Sequence, residues 1–136
     1  MRVIVCLDDK GGMTFNNRRQ SRDRVLIADV VKMADGSKIF ISQYSAMLFE
    51  ESGASLVCDD RFLDLADSDG YCFVEDRALA PYADRIKEIT VYKWNRKYPY
   101  DFALDIIPEK AGFRLTESYD FAGSSHDKIT KEIYEK

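Results

Sequence analysis

Residues 15–24 read FNNRRQSRDR, with four arginines in ten positions and only Asp23 to offset them. Lys10 lies just upstream. The whole chain carries a formal net charge of −4, so this basic cluster runs against its own background. Arginine presents a rigid fork of donors that matches carboxylates and phosphates. Arg18, Arg19, Arg22 and Arg24 could surround one such anion, with Asn16, Asn17 and Gln20 adding donors. A helix N-terminus near Ser21 would contribute free N–H groups and a positive dipole. The competing reading is a solvated loop whose arginines pair with the chain's many acids. Such surface pairs contribute only about 0–1 kcal/mol each.

His126 is the sole histidine and sits in GSSHDK. A local catalytic set would use His126 as base, Asp127 as its support, and Ser124 or Ser125 as nucleophile. Adjacent residues rarely face one another, and such triads are assembled from distant segments. Gly123, Ser124, Ser125 and Asp127 instead favour a turn. One histidine also rules out a zinc hydrolase built on a histidine cluster. The pairs Asp8–Asp9 and Asp59–Asp60 stand at the ends of apolar runs. They suit turns and caps, an ion pair with the arginine loop, or magnesium held together with substrate phosphates. Tyr92, Trp94, Tyr98 and Tyr100 alternate with Lys93, Arg96 and Lys97, a pattern that either stacks on single-stranded nucleic acid or packs into a core. Cys6, Cys58 and Cys72 are scattered and form no C-x-x-C pair, so free thiols are expected and no metal site.

The elements that must position these residues follow from periodicity. Val3–Leu7 is a continuous apolar run, read as a buried strand. Lys10–Gln20 is read as a polar loop turned at Gly11 and Gly12. Ser21 or Asp23 caps a helix in which Val25, Leu26, Ala28, Asp29, Val30 and Met33 recur at helical spacing, ending at Gly36. Strands are expected at 38–41, 55–58, 71–74 and 88–94, the last with clean alternation. Short helices fall at 44–50, 61–66 and 77–82. Residues 113–121 alternate again. The tail from His126 fits a strand or a helix equally.

At 136 residues, the chain suits one domain spanning 1–136, and with 46% apolar residues it can bury a real core. The acidic balance argues against a general nucleic-acid binder. No apolar run approaches the ~20 residues of a membrane span, and the N-terminus is too short in apolar residues for a signal peptide. A cytoplasmic protein without membrane attachment is expected. Strands alternating with helices early, then strands alone, predict an α/β three-layer sandwich. Its central sheet is mainly parallel, with an antiparallel C-terminal strand pair.

This order of elements resembles dihydrofolate reductase. The strand VIVCL, the loop DDKGGMTFNNRRQS and a helix starting near Asp23 match that family's opening. The run YCFVEDRALAPYADRIKEITVYKW matches its second half, and RLTESYDF with KITKEIYE its closing antiparallel pair. The resemblance implies a loop covering an active site, Asp23 as the acid that receives a pterin-like ring, and NADPH as cofactor. It also brings the last hairpin, and with it His126, close to the basic loop. Departures fall on the cofactor side. Val74, Glu75 and Asp76 replace the glycines that admit a pyrophosphate, and Ser42, Gln43 and Tyr44 replace a Gly-Arg-like phosphate turn. A strand for the adenine end is missing between Glu50 and Ala54. Glycine admits close approach because it lacks a Cβ, and two carboxylates repel a pyrophosphate.

Together these readings point to a non-reductase with no cofactor, binding a nucleotide, a phosphate or an acidic partner through the arginine loop. An NADPH-dependent reductase is the alternative, and a small RNA-binding or RNA-processing factor the third reading.

Overall fold

The computed structural model describes residues 1–136. The chain forms β1 (Arg2–Leu7), β2 (Gly12–Phe15), β3 (Arg18–Arg19) and helix α1 (Arg24–Ala34). Then come β4 (Ile39–Ile41), α2 (Gln43–Ala46), β5 (Leu56–Cys58), α3 (Phe62–Leu65) and β6 (Tyr71–Phe73). The remainder is β7 (Glu88–Lys93), β8 (Phe102–Ala103), β9 (Arg114–Phe121) and β10 (Ile129–Glu135). Seven strands make one sheet in the order β5-β4-β6-β1-β7-β10-β9. The run from β5 to β7 is parallel, and β10 pairs antiparallel with both β7 and β9.

Both sheet faces are covered, which explains the continuous apolar strands. On one face, Leu26, Val30 and Ala34 of α1 pack with Phe49 against Ile4, Ile39, Ile41, Phe73 and Tyr92. On the other, Phe62 and Leu63 of α3 join Leu79, Ile86 and Phe113 against Val3, Val5, Cys72, Val74 and Val91. The three-layer arrangement matches the pattern of the sequence. β7 alternates between these two cores and is buried on both sides, because it lies between β1 and β10.

Two sequence expectations need correction. The segment read as a polar loop is a β-hairpin, in which Thr14 faces Arg19 and Phe15 faces Arg18. Asn16 and Asn17 turn it with positive φ values of 51° and 61°. A two-residue turn of that kind suits the right-handed twist of paired strands, and asparagine tolerates it better than most residues. β8, unforeseen in a proline-bearing stretch, completes a second sheet of order β3-β2-β8. The ambiguous tail is strand β10. Lys131 on it is buried, and its ammonium lies 2.7 Å from Asp29 of α1, which also accepts the Tyr92 hydroxyl. A buried lysine is stable here because its charge is paired and hydrogen-bonded.

Between Met47–Phe49 and β5 the chain turns through Glu51 and Gly53, both at positive φ, with no intervening strand.

Candidate functional site

Ligands of open α/β sheets gather beyond the carboxyl ends of the parallel strands. Here that position, just past β6 and beside β4, is occupied by the protein's own side chains. Glu75 is buried. The Arg19 guanidinium grips it with two bonds, Nε to Oε2 at 2.9 Å and an Nη to Oε1 at 3.0 Å. The Ser45 hydroxyl donates to the same carboxylate at 2.8 Å. Tyr44 completes the plug: its hydroxyl accepts the Arg19 main-chain N–H at 2.9 Å, and the guanidinium lies 4.3 Å from its ring centroid. Burial works against the charge on Arg19, but the Glu75 bonds outweigh it and hold its pKa above the usual arginine value. Arg19 was expected to meet a ligand. It is instead an internal ion-pair partner, because the sheet order brings Glu75 to the hairpin.

The other three arginines behave differently. Arg18, Arg22 and Arg24 are exposed, and none pairs with an acid. They border two adjoining grooves that share Arg22 and Ser125. One, of about 480 Å³, lies between Arg18, Ser21, Arg22 and Tyr44. Its neighbour, of about 550 Å³, runs between α1 and the 47–52 turn, with Ile27, Met47 and Leu48 as apolar wall and Glu50 at the rim. Gln20 and Asn16 line an adjacent recess with Arg18 and Arg19, beside Tyr98 and Pro99. Gln20 donates to the Pro99 carbonyl, and the Asn16 N–H donates to Asp101. Asn17 stands exposed at the hairpin turn. These three were grouped with the arginines from sequence. Asn16 and Gln20 stay beside Arg18 and Arg19, whereas Arg22 and Arg24 line the grooves nearer α1 without them.

Asp23 was expected to receive a substrate ring. Its carboxylate is sealed instead. One oxygen accepts the N–H groups of Val25, Leu26 and Ser124, the first two as the cap of α1. The other accepts Ser125 N–H at 2.7 Å and lies 3.0 Å from His126 Nδ1. No lone pair remains for a pterin-like ligand. Burial pushes this carboxyl upward in pKa. The His126 contact and the three N–H groups of Ser124, Ser125 and Leu26 outweigh it and hold it well below the usual carboxylate range. Gly123 makes the wrap possible, because a Cβ there would collide with the Asp23 carboxylate.

His126 is buried beneath the first groove. Its ring stacks on Trp94 at 4.6 Å, and its Nε2 lies 3.0 Å from Ser21 Oγ and 3.3 Å from Tyr98 Oη. Two of the residues that meet it, Ser21 and Asp23, are more than 100 positions away. Asp127, its sequence neighbour, is exposed and takes no part. Sequence reasoning overlooked Ser21 except as a cap. The signal was a serine two residues before a capping acid, which carries little weight without the tertiary partner.

Several of the remaining candidates have structural roles. Asp8 accepts the N–H groups of Lys10, Gly12 and Tyr98, so it fastens the turn into β2. Asp59 accepts Arg61 N–H at the start of α3. No three His, Cys, Asp or Glu side chains converge as a metal site would require. Tyr92 and Trp94 are buried in the core and present no face for base stacking. The three cysteines are free thiols. No helix is long and apolar enough to cross a membrane.

No protein-family model matches the chain, and no curated protein does. Solved structures do match. A dihydrofolate reductase from Enterococcus faecalis, complexed with NADP(H) and RAB-propyl, superposes with a TM-score of 0.66 over 98% of this chain and 94% of that one. The fold is dihydrofolate reductase-like. Identity to that enzyme is 7%, so the likeness concerns the backbone and not the chemistry. Within this dihydrofolate reductase-like frame, the segment where glycines would admit a pyrophosphate carries Glu75, locked to Arg19.

Proposed function

We propose that this chain is a non-reductase that binds an anionic group in the grooves between the hairpin, α1 and the 47–52 turn. A nucleotide, a free phosphate or an acidic partner would supply that group. The observation that carries this reading is the split among the four arginines. Arg19 is neutralised inside the protein, whereas Arg18, Arg22 and Arg24 border the two adjoining grooves with no acid paired to any of them. Glu50 lines the groove beside α1, so the anion belongs beside Arg18 and Arg22, with any apolar portion against Ile27, Met47 and Leu48. Charge-assisted bonds from arginine to phosphate are short and roughly twice as strong as neutral ones.

Thermal unfolding in the presence of inorganic phosphate or a nucleoside diphosphate tests the reading. A saturable rise in stability is expected, reaching about 2.7 kcal/mol at a hundredfold excess over Kd. The double variant Arg18→Gln, Arg22→Gln should lose it. An unchanged rise in that variant would refute the site.

An NADPH-dependent reductase is the second reading, favoured by the fold and by a structural neighbour described as an NADP(H) complex. Against it stand Glu75 and Asp76 at the turn after β6 and the Arg19 plug over the strand ends. Titrating NADPH while following Trp94 fluorescence decides between the two. A saturable change below millimolar cofactor favours the reductase.

A further inference from the structure

Ser21, His126 and Asp23 form one hydrogen-bonded line assembled from the two ends of the chain. We infer that Ser21 is a nucleophile, with His126 as its base and Asp23 as the positioning residue, acting in the hydrolysis of carboxylic esters that carry an anionic group. The anionic preference rests on the proposed arginine site; the nucleophile does not.

The geometry has the required order. Asp23 and His126 are buried, and Ser21 is half-buried and opens onto the groove with Arg18 and Arg22. Both links, Ser21 Oγ to Nε2 and Nδ1 to Asp23, are 3.0 Å. An ionised carboxylate only accepts hydrogen bonds, so the neutral ring keeps its proton on Nδ1 and leaves Nε2 to accept from the serine hydroxyl. Trp94, stacked at an interplanar angle of 27°, fixes the ring plane. Tyr98 also reaches Nε2, but at the longer distance of 3.3 Å. The N–H of Arg22, the residue directly after Ser21, has no acceptor within the chain. An N–H in that position is a suitable donor for a developing oxyanion.

The chemistry balances with water as the only co-reactant. Ser21 Oγ adds to the ester carbonyl carbon as its proton passes to His126 Nε2. The bond from that carbon to the alcohol oxygen then breaks, and the imidazolium proton leaves with the alcohol. Water attacks the acyl-serine, passes a proton to His126, and Ser21 departs with a proton returned from the ring, giving a free carboxylic acid.

A neutral alkyl fluorophosphonate tests the nucleophile without help from the arginines. It forms a phosphorus–oxygen bond to a reactive serine and expels fluoride. Intact mass and peptide mapping should show one adduct, on Ser21. Ser21→Ala, which loses only one side-chain hydrogen bond and should melt like the parent, should show none. His126→Gln should react about 100-fold more slowly or worse. No adduct on the parent protein, under conditions that fully label a serine hydrolase, overturns the inference. So does an adduct that persists in Ser21→Ala. The second arm compares p-nitrophenyl acetate with mono-p-nitrophenyl succinate. The anionic ester should be preferred at least about tenfold in kcat/KM, and Arg22→Gln should erase the preference. A labelled Ser21 with equal rates on both esters would keep the nucleophile and overturn the anionic substrate class.

Discussion

Removing Arg19 should cost more than its place on a short two-residue strand of a hairpin suggests. Its guanidinium is the only cation within ion-pair distance of Glu75, whose side chain is 8% exposed. In Arg19→Met, that carboxylate would keep one hydrogen bond, from Ser45. Breaking a buried pair from one side costs about 3–5 kcal/mol. The Arg19 side chain is 20% exposed, so water can reach the site, and the lower end, about 3 kcal/mol, is expected. Glu75→Leu leaves the more accessible partner behind, and Arg19 can hydrate there, so about 2 kcal/mol is expected. The double variant removes both charges and leaves neither stranded. It should cost about 2–3 kcal/mol, giving a coupling of about 2–3 kcal/mol. Urea unfolding of the four proteins, with constant m-values, measures this directly. A coupling below about 0.5 kcal/mol would refute the plug as an energetic unit. The same conclusion follows if Arg19→Met proves milder than Glu75→Leu.

Two further outcomes concern the loop around Asp23. Gly123→Ala should destabilise by about 2–3 kcal/mol, because the added methyl would displace the 123–126 turn and strand the N–H groups of Ser124 and Ser125; a melting temperature equal to the parent's would contradict the close approach. Acid titration of stability supplies the second. The folded Asp23 pKa lies below its unfolded value, near 3.9 for an unperturbed aspartate. Between the two values the unfolded chain binds more protons, so stability rises with pH there. The contribution is complete above about pH 4 and is lost as pH falls through the folded value. Asp23→Asn should therefore flatten the acid limb of the stability curve, and an acid limb of unchanged slope in that variant would show that another group carries it.

Much of the scaffold was legible in the residues themselves. Val3–Leu7, Ile39–Ile41 and Tyr71–Phe73 are short apolar runs between turn formers, and a parallel strand covered on both faces leaves no other pattern. The start of α1 was legible too, since Asp23 precedes a run of helical spacing and caps it in the structure. The hairpin turn could have been read from Asn16-Asn17, a pair suited to two successive positive φ values, but the surrounding charges hid the two short strands. β10 was not decidable locally, because Ile129 and Ile133 satisfy a helical and a strand period alike. Only its pairing with β7 and β9 removed the ambiguity.

The site shows the same division more sharply. Composition and spacing determined that four arginines and one histidine were the side chains with chemistry to offer. Residue order alone treats the four arginines as equivalent and places His126 with Asp127. The sheet order broke that equivalence by carrying Glu75, 56 residues away, against Arg19 and no other. It also brought the last hairpin beside the start of α1, so that His126 turned from Asp127 toward Asp23 and Ser21. Periodicity reports which face of an element is apolar, a property of near neighbours. Which charge is neutralised and which hydroxyl meets an imidazole depend on contacts between segments up to 105 positions apart, and those are set by how the strands are stacked.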